Sequence, residues 1–272
     1  MAEDSAALTD IHNHLVPGVD DGARNLEDVL ASVERMAREG IRRIITTPHL
    51  DGSLTLDTKR LEERLAEVDE AFDRAARAVT ESLPDVDFRR GHEVMLDVPD
   101  VDFSEPRLRL AGTSFVLVEW PRLRIPPGTL QVLRRIRTEE YRPIVAHPER
   151  YRGIDLEIAR RWRDAGAYLQ INYGSLDGRY GADARTFAEQ LLQEGWADYL
   201  ASDFHGRPER KLYRAEAWER IRSLDGHEAL AHLCITNPGR ILLDEEPVPV
   251  PGLPPKRGLW QRVKGILRQE SA

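Results

Sequence analysis

Cys234 is the single cysteine among 272 residues, which excludes an intrachain disulfide and any zinc site built on thiolates. Lysine is almost as scarce, at 4 of the 39 basic residues. Acidic residues number 47, so the net charge is −8 and the basic footprint of a general nucleic-acid binder is missing. No apolar run reaches the roughly 18 residues of a membrane-spanning helix. The opening Met-Ala-Glu-Asp-Ser-Ala-Ala-Leu-Thr-Asp holds no apolar core of a secretion signal. These absences set the expectation of a cytoplasmic protein. What remains is 41% hydrophobic and 32% charged, a balance that builds a core, and the length suits one (β/α) barrel of about 250 residues.

Short apolar runs alternate with amphipathic ones. Leu8–His12 reads as a strand. Asn25 is placed to cap a helix whose Leu26, Val29, Leu30, Val33, Met36 and Ala37 share a face, and Gly40 ends it. Ile41–Thr47 is strand-like, and Leu61, Leu65, Val68, Phe72, Ala75 and Val79 mark a second helix. Further strands are expected at Val86–Arg90, Ser114–Glu119, Pro143–Ala146, Tyr168–Asn172 and Tyr199–Ser202. Helices are expected near Leu130–Glu140, Leu156–Ala165, Ala184–Glu194, Lys211–Leu224 and His227–Cys234. About seven strands mostly alternating with helices predict a parallel α/β architecture. Residues 1–244 form the expected barrel, 245–256 a Pro-rich linker, and 257–272 a basic amphipathic helix.

The chemistry lies at the strand ends. Asp10-Ile11-His12-Asn13-His14 ends the first, Thr47-Pro48-His49 the second, Gly91-His92-Glu93 the third and Val118-Glu119 the fourth. Ala146-His147-Pro148-Glu149-Arg150 ends the fifth, and Ser202-Asp203-Phe204-His205 the seventh. In a parallel barrel these ends share one face, where active sites are built. His12 and His14, two apart, can share a metal or serve neighbouring ones. Mixed imidazole and carboxylate donors suit Zn²⁺, Mn²⁺ or Fe. Taken alone, Glu119 reads as a surface carboxylate and Arg150 as the ion-pair partner of Glu149. His92, beside Glu93, should face the other way. His227 and His232 lie on a helical stretch as surface or packing residues.

These segments, with Pro17-Gly18-Val19-Asp20-Asp21-Gly22 and His147-Pro148-Glu149-Arg150-Tyr151, resemble the polymerase and histidinol phosphatase (PHP) superfamily. Within it they are most similar to the bacterial CpsB/CapC/YwqE-type protein-tyrosine phosphatases, from about Leu8 to Leu243. The resemblance implies a distorted (β/α)7 TIM-like barrel with a three-ion, typically manganese, centre. It implies that His12, His14, Glu93 and Asp203 hold one ion. Glu93 would bridge to a second, held also by Glu119 and His147, while Asp21, His49 and His205 hold the third. Arg150 and Arg207 would bind the phosphate, although the stretch from His205 to Arg207 is shorter than the pattern suggests. A metal-bound hydroxide would attack phosphorus in line, with no covalent intermediate, and Asp203 or a bound water would act as general acid. The implied substrate is a phosphotyrosine protein, specifically a bacterial tyrosine kinase of capsule or exopolysaccharide synthesis. The oligomeric state stays open.

Four rivals follow, one of them non-catalytic: a metal-stabilised scaffold whose tail binds a partner. A metal-dependent amidohydrolase also opens with His-x-His, but many of these resemble one another in a modified Lys at a strand end. Lys59, Lys211, Lys256 and Lys264 end no expected strand. A small-molecule phosphatase, such as one for histidinol phosphate, shares the superfamily. Cys234-Ile-Thr-Asn-Pro-Gly-Arg240 has the Cys-x5-Arg spacing of thiol phosphatases, yet Cys234 follows an expected helix rather than a strand. In the tail, Leu259, Trp260, Val263, Ile266 and Leu267 form an apolar face among Arg257, Arg262, Lys264 and Arg268. Residues 257–268 could therefore lie on an anionic membrane, at its inner face, or pack against protein.

Overall fold

The computed structural model describes residues 7–254. Among the described residues nine strands run in chain order: β1 (Leu8–Asp10), β2 (Ile41–Thr46), β3 (His49–Asp51), β4 (Asp87–Arg90), β5 (Glu93–Met95), β6 (Phe115–Glu119), β7 (Arg142–Ala146), β8 (Tyr168–Asn172) and β9 (Tyr199–Ala201). The helices are α1 (Leu26–Arg38), α2 (Thr58–Ser82), α3 (Thr129–Thr138), α4 (Leu156–Asp164), α5 (Tyr173–Asp177), α6 (Ala182–Gln193), α7 (Arg214–Arg222), α8 (His227–Ala231) and α9 (Asn237–Ile241). Asn25 caps α1, accepting the Asp28 N–H at 2.9 Å, while Glu27 and Asp28 complement the helix dipole. Asp57 and Asp155 cap α2 and α4 in the same way.

All strand pairs are parallel, in two sheets ordered β1-β2-β4 and β3-β5-β6-β7-β8-β9. The second and third expected strands, Ile41–Thr47 and Val86–Arg90, are β2 and β4, and each is followed by a short strand that was not expected, β3 and β5. Pro48, without an N–H to donate, separates β2 from β3, and Gly91-His92 separates β4 from β5. Single hydrogen bonds carry the ring across these breaks: Gly91 N–H to Thr46 O (2.9 Å) and Glu93 N–H to Pro48 O (3.1 Å). The residues after β1 and β9 also pair, Asp203 N–H to His12 O and His14 N–H to Phe204 O, both 2.8 Å.

Ile11, Ile45, Phe115, Leu117, Ile144, Ala146, Tyr199 and Ala201 fill the interior, and Leu110 and Ile241 join them. A larger cluster, including Trp120, Trp162, Leu133 and Leu169, packs between strands and helices. Two departures from the expected pattern concern helices. The segment read as His227–Cys234 is α8 followed by a π-helical turn, His232–Thr236, that leads into α9. The short α5 directly after β8 has too few residues to show a helical period.

Residues 245–254 run extended but are not loose. Asn237 Nδ2 donates to Val248 O (3.0 Å), Val248 N–H to Asn237 Oδ1 (2.9 Å), and Leu253 N–H to Leu192 O (2.9 Å). Val250 and Leu253 are buried. Arg142, at the start of β7, donates from Nε to Glu246 Oε1 (2.9 Å). The segment is thus a strap across the end of the barrel where the strands begin. The basic tail, 257–272, lies outside the described residues. Among the described residues no helix is long and apolar enough to cross a membrane.

Candidate metal centre

The opposite end of the ring gathers the strand-end residues. His12 and His14, just past β1, are fully buried, as is Glu93 at the start of β5. His12 Nε2 lies 3.1 Å from Glu93 Oε2 and His14 Nε2 lies 3.5 Å from the same oxygen. Asp203 Oδ1 is 3.7 Å from His12 Nε2 and 3.6 Å from His14 Nε2. His147 Nε2 approaches Glu93 Oε1 at 2.9 Å and Glu119 Oε2 at 4.0 Å. His49 Nδ1 is 3.2 Å from Glu93 Oε2 and 3.5 Å from Glu119 Oε1, while its Nε2 is 3.5 Å from Asp21 Oδ1. His205 Nε2 is 3.4 Å from Asp21 Oδ2.

Four sets of donor atoms each fall within 4.8 Å of one another: His14, Asp21, His49 and His205; His12, Glu93 and His147; His12, His14 and Asp203; His49, Glu93 and Glu119. All nine residues expected as ligands therefore meet. His49 reaches both the Asp21 side and the Glu93–Glu119 side, a versatility that spacing alone did not show.

Hydrogen-bond polarity fixes which nitrogen of His12 is available. Asp203 Oδ2 can only accept, so the 2.8 Å contact from Asn172 uses the Nδ2 amide. Asn172 Oδ1 then accepts from Gln170 Nε2 (2.8 Å), and Gln170 Oε1 accepts from His12 Nδ1–H (2.7 Å). His12 Nε2 is left with its lone pair toward Glu93. His14 Nδ1 donates to Asp20 Oδ2 (2.8 Å) and His205 Nδ1 to Asp203 O (2.9 Å), which frees their Nε2 atoms as well. His12 Nε2, His14 Nε2 and Glu93 Oε2 are buried without a hydrogen-bond partner. Burying three such atoms together is costly unless a cation compensates them, so the donor set fits a metal.

The electrostatics agree. Burial disfavours charge on His12, but the Glu93 and Asp203 carboxylates outweigh it and push its pKa up to about 9. A field that would hold a proton there would also hold a metal cation. Burial likewise opposes charge on Asp203, yet His14, His12, His147 and Arg150 hold it well below the usual carboxylate range. Burial and the Glu93 charge push Glu119 up to about 8. His147 and Asp203 have φ of +36° and +50°, a backbone region that costs a non-glycine residue energy and clusters at functional sites.

The two arginines behave differently. Arg150 does not pair with Glu149. Its Nη1 donates to Asp203 Oδ2 at 2.7 Å, and its guanidinium lies over the Tyr180 ring. Glu149 instead accepts from Asn172 N–H (2.9 Å) and Ser175 Oγ (2.6 Å). Arg207 donates to the carbonyls of Gly22 and Asp21, so it grips the loop that carries Asp21. His92 turns away as expected, with Nδ1 on Arg107 O at 2.9 Å. Cys234 is fully buried in the π-helical turn, burial pushes its thiol up to about 12, and Arg240 is engaged by Glu245 and the Glu246 carbonyl. No phosphate cradle forms around them.

Asp20, Gln170, Asn172 and Tyr180 were not among the expected site residues. Gln170 and Asn172 did leave a signal: two amides alternate on an otherwise apolar strand, on the face that enters the barrel.

Fold and site together define a metallo-hydrolase of the parallel α/β-barrel class. A family model described as capsular polysaccharide synthesis, CpsB/CapC, matches residues 8–243, and the chain belongs to that family. The tyrosine-protein phosphatase YwqE of Bacillus subtilis is 29% identical over 255 residues, covering 92% of this chain and 97% of the relative. The tyrosine-protein phosphatase CpsB of Streptococcus pneumoniae is 27% identical over 251 residues, covering 88% and 99%. A solved structure from work on these two proteins, described as metal-dependent tyrosine phosphatases, superposes with a TM-score of 0.76 at 27% identity, covering 92% of this chain and 100% of that one.

Proposed function

We propose that this chain is a metal-dependent protein-tyrosine phosphatase that acts on a phosphorylated tyrosine kinase of capsule or exopolysaccharide synthesis, in the cytoplasm. The observation that carries the reading is the convergence of His12 Nε2, His14 Nε2 and Glu93 Oε2, buried and unpartnered, beside an Arg150 that Asp203 holds at the same mouth. His12, His14, Glu93 and Asp203 would hold one ion, Glu93, Glu119 and His147 a second, and Asp21, His49 and His205 a third, with Mn²⁺ the proposed metal. Bound there, such ions neutralise phosphate charge and make water a nucleophile at neutral pH.

The chain's own groups supply the rest. Arg150 Nε and Nη2 make no hydrogen bond with the described residues, and this free edge suits phosphate oxygens. Asp203 Oδ2 accepts from Arg150 and Asn172, and its carboxyl is held well below the usual range. It therefore orients groups rather than donating a proton. A tyrosine phenolate, with a pKa of about 10, leaves with little help. Arg207 is assigned to loop support rather than to phosphate. Cys234 takes no part. An amidohydrolase reading lacks its lysine: Lys59 lies in α2 and Lys211 in the segment before α7, away from the strand ends.

The test is hydrolysis of a phosphotyrosine peptide, a phosphoserine peptide and histidinol phosphate, each with Mn²⁺ and with chelator, with elemental analysis of the same sample. The expected result is Mn²⁺-dependent preference for phosphotyrosine, lost in His12→Ala. Preference for histidinol phosphate would move the enzyme to small-molecule metabolism. A sample loaded with metal but inert toward all three would overturn the phosphatase reading.

A further inference from the structure

The loop between α5 and α6 brings to the mouth a side chain that the ligand set leaves unused. Gly178 and Gly181 have φ of +86° and +97°, which L side chains rarely adopt, and nothing crowds either position. The turns they allow present Tyr180 beside Arg150, with Arg179 over the same ring. The Arg150 guanidinium carbon lies 4.4 Å from the Tyr180 ring centroid, and that of Arg179 lies 5.1 Å from the same centroid. Tyr180 Oη donates to Asp203 Oδ2 over a long 3.4 Å.

A guanidinium held at one nitrogen can still pivot about that contact. Among the described residues Arg150 is hydrogen-bonded only at Nη1, to Asp203. A ring centred 4.4 Å from the guanidinium carbon restricts that pivot while leaving Nε and Nη2 without a hydrogen-bond partner among the described residues. We propose that Tyr180 is a positioning residue, whose ring sets the plane of Arg150 so that Nε and Nη2 meet the phosphate. This rests on the reading of Arg150 as the phosphate's partner. The ring carries the effect, and the long hydroxyl contact to Asp203 is secondary.

The test is a double-mutant cycle of Tyr180→Ala and Arg150→Ala, with Tyr180→Phe as the conservative variant. Two readouts are taken: kcat and KM with para-nitrophenyl phosphate, and the Kd for inorganic phosphate by calorimetry. Tyr180→Ala is expected to raise both KM and the phosphate Kd about tenfold, with a smaller change in kcat. Tyr180→Phe should restore both to within about threefold, and Tyr180→Ala added to Arg150→Ala should change the phosphate Kd less than about twofold. Equal losses with and without Arg150, or a Tyr180→Phe as impaired as Tyr180→Ala, would overturn the proposal. Circular dichroism checks the fold, and Tyr180→Leu replaces Tyr180→Ala if the latter does not fold. A wild type that hydrolyses no phosphomonoester would sink the functional reading, while phosphate calorimetry would still decide the role of Tyr180.

Discussion

At Gln170 the amide has no choice of orientation, because a chain of donors running to the Asp203 carboxylate dictates it. The consequence falls on His12, whose candidate ligand nitrogen is set by a residue outside the four donor sets. Gln170→Leu keeps the volume and deletes the acceptor. Metal affinity is expected to fall about 10- to 100-fold with the fold retained, measured by metal titration against circular dichroism. Glu149 gives a second residue-scale test. Burial outweighs its hydrogen bonds from Ser175 and Asn172 and pushes its pKa up to about 7. For an acid whose pKa is raised by folding, the stability gained is full below about pH 4.5, its unfolded value, and is lost as pH rises through about 7. Glu149→Gln imitates the protonated form and keeps an acceptor for both donors. It should remove a decline on the order of 3 kcal/mol across that window, read from urea melts at pH 4.5, 6 and 8. An unchanged pH dependence would show that Glu149 is ionised throughout.

The element-scale lesson concerns where strands stop. Their C-terminal ends were legible because each apolar run of β-branched and aliphatic residues finishes in a side chain too polar for a core unless a site needs it. Hence eight of the nine candidate ligands stand at strand ends in the sequence itself, while Asp21 entered through the family resemblance alone. The short strands β3 and β5, beyond Pro48 and Gly91-His92, were not legible, since three residues show no period and ladder pairing is not a local property. Gln170 and Asn172 escaped notice because amides are common and titrate nothing. Asp20 was hidden by its neighbour Asp21: the two are equivalent as letters, yet one braces His14 from behind and the other faces His49 and His205. The loop that separates those roles turns at Gly22, where an added Cβ would overlap the carbonyl and Cβ of His14. Gly22→Ala must push the loop outward. It should lower bound metal by about one ion per chain and lower Tm as well, since Gly22 is buried and the overlap falls on the backbone of buried His14. Full metal content in that variant would show that Asp21 is dispensable.

At the scale of the whole molecule, charge and architecture are separable. Residues 256–272 carry five basic and one acidic residue, leaving −12 on the preceding 255 before any cation binds. The strap belongs to the barrel by packing, although its proline content reads as a linker. The strap is tested by comparing a chain ending at Pro254 with one ending at Asp244. A chain ending at Asp244 exposes the sites of Val250 and Leu253 and strips Asn237 of two partners. It should lose on the order of 3 kcal/mol, seen as a lower Tm with the metal content unchanged. Equal Tm values for the two truncations would contradict the packing.

The strap also gives the molecule a front and a back. It lies where the strands begin, and the mouth that gathers the candidate ligands opens where they end, so the last described residue, Pro254, lies at the rear. Whatever the following residues are fastened to, be it a lipid sheet, a larger assembly or a sensor chip, would meet the blind side. The mouth would look outward, toward a phosphorylated chain standing opposite.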